Sequence, residues 1–89
     1  MKTLFASKQF QRDYRLAVKR GKNMKKLQAI LELMVADQVR PARCRPHKLS
    51  GNYADLWECH IEPDWLLIYG ISNTQLDLFR TGTHTDLFD

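Results

Sequence analysis

The strongest constraint on the fold comes from three strand-like runs separated by very short turns. The runs span 53–61, 65–71 and 76–80, and each carries the apolar side chains typical of a strand. Only a few residues, 62–64 and 72–75, lie between them. Connections this short join neighbouring antiparallel strands, because a parallel pair needs a long crossover. The carboxyl-terminal half of the chain therefore predicts a three-stranded meander.

The amino-terminal half predicts one short strand, over 3–6, followed by a helical hairpin. Ser7 is a suitable N-cap, and Gly21 is suited to end the first helix in the left-handed conformation. Asn23 can cap a second helix. Apolar residues recur at helical spacing in both segments, at Phe10, Tyr14, Ala17, Val18, Met24, Leu27, Ile30, Leu31, Met34 and Val35. The predicted order is β-α-α-β-β-β, an α+β fold with the hairpin packed on one face of a mainly antiparallel sheet.

Length and composition limit the class of protein. With 89 residues, 44% of them hydrophobic and 27% charged, the chain is expected to form one folded domain over 1–89 rather than a disordered segment. The longest apolar run, 65–69, is far shorter than the ~20 residues of a membrane span. Residues 1–5 lead into mixed sequence without a signal-peptide pattern. We therefore expect a soluble, cytoplasmic protein with no membrane contact.

Charge is distributed unevenly along the chain. Residues 1–50 hold 13 lysines and arginines against three acidic residues, whereas residues 51–89 hold one against seven. A basic surface made by the first half suits a polyanion such as RNA, or an acidic protein. Solubility alone would also place lysines on helix faces. Among these basic side chains, Lys19, Lys22 and Lys26 of the helical hairpin are the predicted contacts to a polyanion.

The two cysteines, Cys44 and Cys59, have no paired metal-binding or redox spacing. In a reducing cytoplasm we expect both to remain free thiols, with Cys59 packed in a strand. A disulfide between them is the less favoured alternative.

The histidines are the most informative candidates for chemistry. His47 lies in a long basic loop over 37–52, His60 near the end of a strand, and His84 in the tail that follows the last strand. Asp64 lies in the turn after His60. In a meander these segments can meet at one sheet edge. Histidine can act as base or acid near neutral pH, and RNA cleavage through the 2′-hydroxyl needs one of each.

Other interpretations of the same residues remain open. Trp65 and Phe88 could stack on bases or belong to the core. Three histidines and an aspartate could bind zinc, but their spacing matches no local motif, so no metal or other cofactor is predicted.

Three strings carry a resemblance to a known family: PHKLSG at 46–51, HIEPDWLLIY at 60–69 and RTGTHTDLF at 80–88. They resemble the YafQ family of toxins in the RelE/ParE superfamily of type II toxin–antitoxin systems, and the resemblance covers essentially the whole chain. It implies the RelE-like fold and a ribosome-dependent endoribonuclease that cleaves mRNA in the A site. It further implies a cognate antitoxin, and binding to operator DNA only through the toxin–antitoxin complex.

The resemblance also implies which residues form the site. The family's active-site positions match His47, His60, Asp64, His84 and Phe88. His84 is the implied general acid, His47 or His60 the base, and Asp64 the residue that orients or charges a histidine. Candidates for substrate contact are Lys48, Trp65 and Arg80, with Arg80 at the scissile phosphate.

Two alternatives differ in function. ParE-like toxins of the same superfamily inhibit DNA gyrase without nuclease chemistry, and a plain RNA- or ribosome-binding module would use the histidines only structurally. The presence of three histidines and Asp64 favours the ribonuclease.

Overall fold

The computed structural model describes residues 2–36, 47–49, 51–53 and 56–88. The order of elements is β1 (Thr3–Ala6), α1 (Lys8–Lys19), α2 (Met24–Val35), β2 (His47–Lys48), a 3₁₀ turn (Gly51–Tyr53), β3 (Trp57–Glu62), β4 (Trp65–Ile71), β5 (Gln75–Gly82) and α3 (His84–Phe88). The predicted α+β order is confirmed, with a two-residue strand and a one-turn helix added to it.

Local capping explains where the two long helices begin and end. The Ser7 side chain accepts a hydrogen bond from the Phe10 N–H, and the Asn23 side chain accepts one from the Lys25 N–H. Gly21 has φ +76°, a conformation that glycine adopts without steric cost, and it reverses the chain between α1 and α2. All three predicted caps are confirmed.

The strands form one sheet in the order β1-β5-β4-β3-β2. The pairs β2–β3, β3–β4 and β4–β5 are antiparallel, which confirms the predicted meander. β1 lies parallel to β5 at the edge, with Thr3 opposite Gln75. The sheet thereby brings the first strand beside the last one.

Each face of the sheet has its own apolar cluster. The larger cluster joins both long helices to one face and consists of Phe10, Ala17, Leu27, Ile30, Met34, Cys59, Ile61, Trp65, Leu67, Tyr69, Leu76 and Leu78. On the other face, Leu66, Ile68 and Leu87 pack together with Leu49, Tyr53 and Leu56. This second cluster holds α3 against the sheet face opposite the two long helices.

Two expectations about residues 44–61 need correction. The strand predicted from Tyr53 begins only at Trp57, because β2 and β3 are antiparallel and the chain must reverse between them. Cys59 is fully buried and is bonded in a disulfide, so the prediction of a free thiol is wrong for this residue. The only other cysteine in the sequence, Cys44, lies outside the described residues, as does most of the basic loop over 37–52, including Arg40, Arg43 and Arg45.

No helix in the described part of the chain is long and apolar enough to cross a membrane.

Candidate active site

Strand periodicity determines which side chains of β3 reach the candidate site. Cys59 and Ile61 belong to the cluster beneath the helices. Because successive side chains of a strand point to opposite faces, Glu58 and His60 lie on the other face. Their partners across the β3–β4 pair are Ile68 and Leu66, both members of the cluster beside α3. His60 therefore shares a sheet face with α3.

His84 is held by Asp64 through two hydrogen bonds to the same oxygen. Oδ1 of Asp64 accepts from the backbone N–H of His84 at 2.9 Å, and lies 2.6 Å from Nδ1 of its ring. A carboxylate only accepts, so Nδ1 carries the proton and Nε2 is the nitrogen that can exchange one with a substrate. The backbone bond, and then the ring bond, lower the pKa of Asp64, so it is ionised at neutral pH. The His84 side chain is 53% exposed and thus accessible to a substrate.

The ring of His60, on β3, lies close to the ring of His84 on α3. The two ring centroids are 5.9 Å apart, and Nε2 of His60 lies 3.3 Å from Oε1 of the nearly buried Glu58. Two imidazoles at this separation can contact one phosphodiester. The backbone of His47 pairs with that of Glu58, so His47 lies on β2, the strand adjacent to the one that carries His60. The side chains of His47 and Lys48 lie outside the described residues.

Phe88 lies at the end of α3, with its ring close to that of His84. Its ring centroid lies 6.4 Å from that of His84, and the Tyr53 ring meets it edge-on at 5.6 Å. The Tyr53 hydroxyl donates to the carbonyl oxygen of Leu87 at 2.9 Å, which holds this end of α3. Phe88 is 47% exposed, so its ring is available for stacking on a base.

Arg80 of β5 is bound to Asp13 of α1. Its Nε is 2.9 Å from Oδ2 of Asp13, and its Nη2 is 3.2 Å from Oδ1. The hydrogen bonds that Arg80 donates to this carboxylate raise the pKa of Arg80. Any phosphate contact must therefore use the side of the guanidinium that faces away from Asp13.

Trp65 belongs to the core, one of the two alternatives that the sequence left open. It is 1% exposed, and its indole Nε1 donates to Oγ1 of Thr81 at 2.9 Å. A base would have no exposed ring face to stack on.

The three lysines predicted to contact a polyanion differ in their surroundings. Lys19 ends α1 and is exposed. Lys26 and Lys22 both contact Glu62, at 2.9 and 3.4 Å, and Nζ of Lys22 also lies 5.7 Å from the centroid of the Trp65 ring. The bond from Lys26, more than that from Lys22, lowers the pKa of Glu62. Part of the basic surface thus also links α2 to the end of β3.

With this geometry in place, comparison with known proteins decides the family. Residues 2–89 match the family described as "Bacterial toxin of type II toxin-antitoxin system, YafQ". The chain belongs to the YafQ family. This confirms the resemblance carried by the three sequence strings.

Relatives in the YafQ family match in both sequence and structure. The mRNA interferase toxin YafQ of Escherichia coli K12 is 40% identical over 83 residues, which cover 92% of this chain and 90% of that protein. The E. coli DinJ-YafQ toxin-antitoxin complex superposes with TM-score 0.90 and 37% identity over 99% of this chain and 98% of the matched one. A metal-bound toxin from Helicobacter pylori gives TM-score 0.90 and 36% identity over 99% and 100%.

The candidate site also contains a group of potential metal ligands. Glu58, His60 and His84 each offer one ligand atom, and these three atoms lie within 4.8 Å of one another. Imidazole nitrogens with one carboxylate suit zinc or copper. The zinc interpretation of the sequence used Asp64, whereas the group in the structure uses Glu58.

Three residues that the sequence analysis did not single out contact the predicted site. Glu58 lies two positions before His60, so strand periodicity could have placed it on the same face. Asp13 is a lone acidic residue in a basic helix, which signals a specific partner. No sequence signal pointed to Tyr53, because its contacts with Leu87 and Phe88 join residues more than 30 positions apart.

Proposed function

We propose that this chain is an mRNA endoribonuclease that acts on the ribosome and stops translation. The observation that carries the proposal is the pair of histidines 5.9 Å apart, one of them bound to an ionised aspartate, on an accessible sheet face. Membership of the YafQ family, and the name mRNA interferase toxin borne by the E. coli relative, support it.

In the proposed reaction, a base removes the proton of the 2′-hydroxyl and the 2′-oxygen attacks phosphorus. The bond to the 5′-oxygen breaks, and an acid protonates that oxygen. The products are a 2′,3′-cyclic phosphate and a 5′-hydroxyl end. Proton transfer by positioned side chains at both oxygens supplies the rate enhancement without a metal.

His84 is the proposed acid and His60 or His47 the base. The negative charge of Asp64 stabilises the protonated His84 ring that must donate to the leaving oxygen, and Nε2 presents that proton. For His60, the carboxylate of Glu58 stabilises the ring after it has accepted a proton. Phe88 is proposed to stack on a base beside the scissile bond, and Arg80 and Lys48 to contact phosphate.

Primer extension on ribosomes translating a defined message tests this proposal. His84→Ala should reduce the cleavage rate by about 10²- to 10⁴-fold, the usual cost of losing a general acid or base. Thr85→Ala, an exposed neighbour on the same helical turn, is the matched control and should cleave like the wild type. His60→Ala and His47→Ala, compared in the same assay, identify the base. Equal cleavage by the wild type and His84→Ala would refute the assigned acid.

A metal-dependent function is the second candidate, favoured by the Glu58, His60 and His84 group and by the metal-bound Helicobacter pylori relative. A zinc or copper ion held there would supply Lewis-acid chemistry and would occupy the imidazole nitrogens that proton transfer needs. Treating the purified protein with EDTA, and removing the chelator before the ribosomes are added so that their Mg²⁺ is unaffected, separates the candidates. Cleavage that survives EDTA supports acid–base transfer, and cleavage that EDTA abolishes and zinc restores supports the metal.

The proposed partners are the ribosome with its mRNA and a cognate antitoxin, in the cytoplasm. The E. coli relative forms a complex with DinJ, which supports an antitoxin partner here, and operator DNA would be bound only through such a complex. Exposed Lys19, with Lys22 and Lys26, is proposed to contact ribosomal RNA. If the purified protein inhibits DNA supercoiling without cutting RNA, the gyrase-inhibitor alternative replaces this proposal.

A further inference from the structure

The short helix α3 carries His84 but cannot hold itself in place. It has five residues, fewer than the twelve or so that an isolated helix needs to be even marginally stable in water. Its position must therefore come from contacts with the rest of the chain. Asp64 holds its first residue, and Tyr53 holds the carbonyl of Leu87.

A third contact runs through Asp86 in the middle of α3. Oδ2 of Asp86 accepts from the backbone N–H of Thr83 at 3.0 Å, and Oγ1 of Thr83 accepts from the backbone N–H of Asp86 at 3.1 Å. This reciprocal pair is a capping box, which supplies partners to the first amide groups of the helix. The Asp86 carboxylate of this capping box can also bind a residue outside α3.

That partner is Arg20, which caps the carboxyl end of α1. Its Nη1 donates to Oδ2 of Asp86 at 2.6 Å and its Nη2 to Oδ1 at 3.3 Å, so both oxygens are engaged. The backbone N–H of Arg20 donates to the carbonyl of Leu16 at 3.0 Å, which holds its Cα at the helix end. Hydrogen bonds from Arg20, and secondarily from the Thr83 amide, lower the pKa of Asp86 to about 2. The pair is thus charged at every physiological pH.

Gly82 shows how closely this carboxylate is packed against the end of β5. A Cβ built at Gly82 would lie 2.9 Å from Oδ2 of Asp86 and 3.0 Å from its Cβ. Any larger residue at this position would require Asp86 to shift. The close approach at Gly82 thus shows that Asp86 is packed against the end of β5 as well as paired with Arg20.

From these contacts we infer that Arg20 is a positioning residue. By binding Asp86, it fixes the position of α3 and therefore the position of the His84 ring relative to His60. The inference rests on the proposed function of His84. In this role the negative charge of Asp86 is paired with Arg20. Arg20 itself is not a catalytic residue here.

The competing role for Arg20 is direct contact with RNA, since its side chain is 42% exposed. The two roles predict different kinetics. A positioning residue acts on the chemical step, so its loss lowers kcat and leaves KM unchanged. A phosphate contact acts on binding, so its loss raises KM and weakens the salt dependence of binding.

The test measures kcat and KM for cleavage of a defined message on programmed ribosomes. Arg20→Gln should lower kcat by about 10- to 100-fold at unchanged KM, the scale expected for a displacement of about 1 Å. Asp86→Asn should give the same loss, because its amide oxygen still caps Thr83 while the ion pair is gone. The double variant should lose no more than either single variant. Arg20→Lys, which keeps the charge, should recover most of the loss, and Arg15→Gln on the exposed side of α1 is the charge-matched control.

A spectroscopic arm keeps this inference separate from the proposed function. Ring resonances of His84, and its nuclear Overhauser contacts with His60 and Phe88, should change in Arg20→Gln and stay unchanged in Arg15→Gln. If the wild type cuts no RNA, the proposed function fails while these spectra still decide the positioning role. Unchanged His84 spectra in Arg20→Gln, or a raised KM at constant kcat, would overturn the inference.

Discussion

Replacing Asp13 by alanine should destabilise the protein more than any other removal of a single charge on α1. The carboxylate is 7% exposed and accepts four hydrogen bonds: from Nε and Nη2 of Arg80, from the backbone N–H of Thr81 at 3.2 Å, and from Nε2 of Gln9 at 3.1 Å. It thereby ties α1 to β5. Asp13→Ala removes every one of these acceptors at once.

The expected cost follows from what each donor loses. Thr81 is 2% exposed, so its unpaired N–H costs about 1–2 kcal/mol. The Arg80 side chain is 26% exposed, so water replaces part of the lost ion pair and the cost there is about 1 kcal/mol, below that of a fully buried pair. Gln9 is only half-buried and adds little. The free energy of unfolding should therefore fall by about 2–3 kcal/mol, a large share of the ~5–15 kcal/mol typical of a domain.

Urea denaturation at neutral pH measures this directly. The midpoint should fall at an unchanged m-value, and the melting temperature should drop by about 10 °C or more. Asp77→Ala is the matched control: this carboxylate accepts from Gln75 two residues away, and its loss should cost no more than about 0.5 kcal/mol. A loss of less than about 1 kcal/mol in Asp13→Ala, or one equal to the control, would show that the Asp13 network does not stabilise the fold.

Three further outcomes are expected. Lys19→Glu should weaken ribosome binding and its salt dependence without changing stability, whereas Lys26→Glu should also destabilise the fold by repelling Glu62. Cosedimentation with ribosomes measures the binding, and urea denaturation measures the stability. Unaltered binding by Lys19→Glu would count against the role of the basic surface. Trp65→Phe should lower the free energy of unfolding by at least about 1 kcal/mol, because Thr81 loses its indole donor and the smaller ring leaves space in the core. A urea midpoint equal to that of the wild type would contradict this. The pKa of Asp86 is 3.8 in the unfolded chain and about 2 in the folded one. The contribution of Asp86 to stability is therefore complete above the unfolded value and is lost as pH falls through about 2. The difference in urea midpoint between the wild type and Asp86→Asn should close at that pH, and a difference that stays constant would refute the assigned ion pair.

Several features were readable from the sequence because their causes are local. Ser7, Gly21 and Asn23 act on amides and dihedral angles within a few residues, so their roles do not depend on distant parts of the chain. The meander was predictable for a related reason, since short connections leave only antiparallel neighbours. The three family strings added the candidate site, whose histidines and aspartate are separated in the chain.

Other features could not be read in this way because they depend on which elements pack together. The two-residue strand at His47–Lys48 exists only because β3 offers it a partner. Trp65 could equally have been exposed, and it is buried because it packs in the apolar cluster that joins both long helices to the sheet. The bonding of Cys59 in a disulfide went against the expectation drawn from the redox compartment.

Charge gives the clearest contrast between the two levels. The sequence by itself determined an excess of lysine and arginine in the first half, the helices that carry much of it, and the candidate histidines. Only the tertiary structure decided that Arg20 and Arg80 are bound to Asp86 and Asp13, across 66 and 67 positions of the chain. Helix periodicity and capping act over a few residues, whereas an ion pair forms where folding brings two distant side chains within about 3 Å.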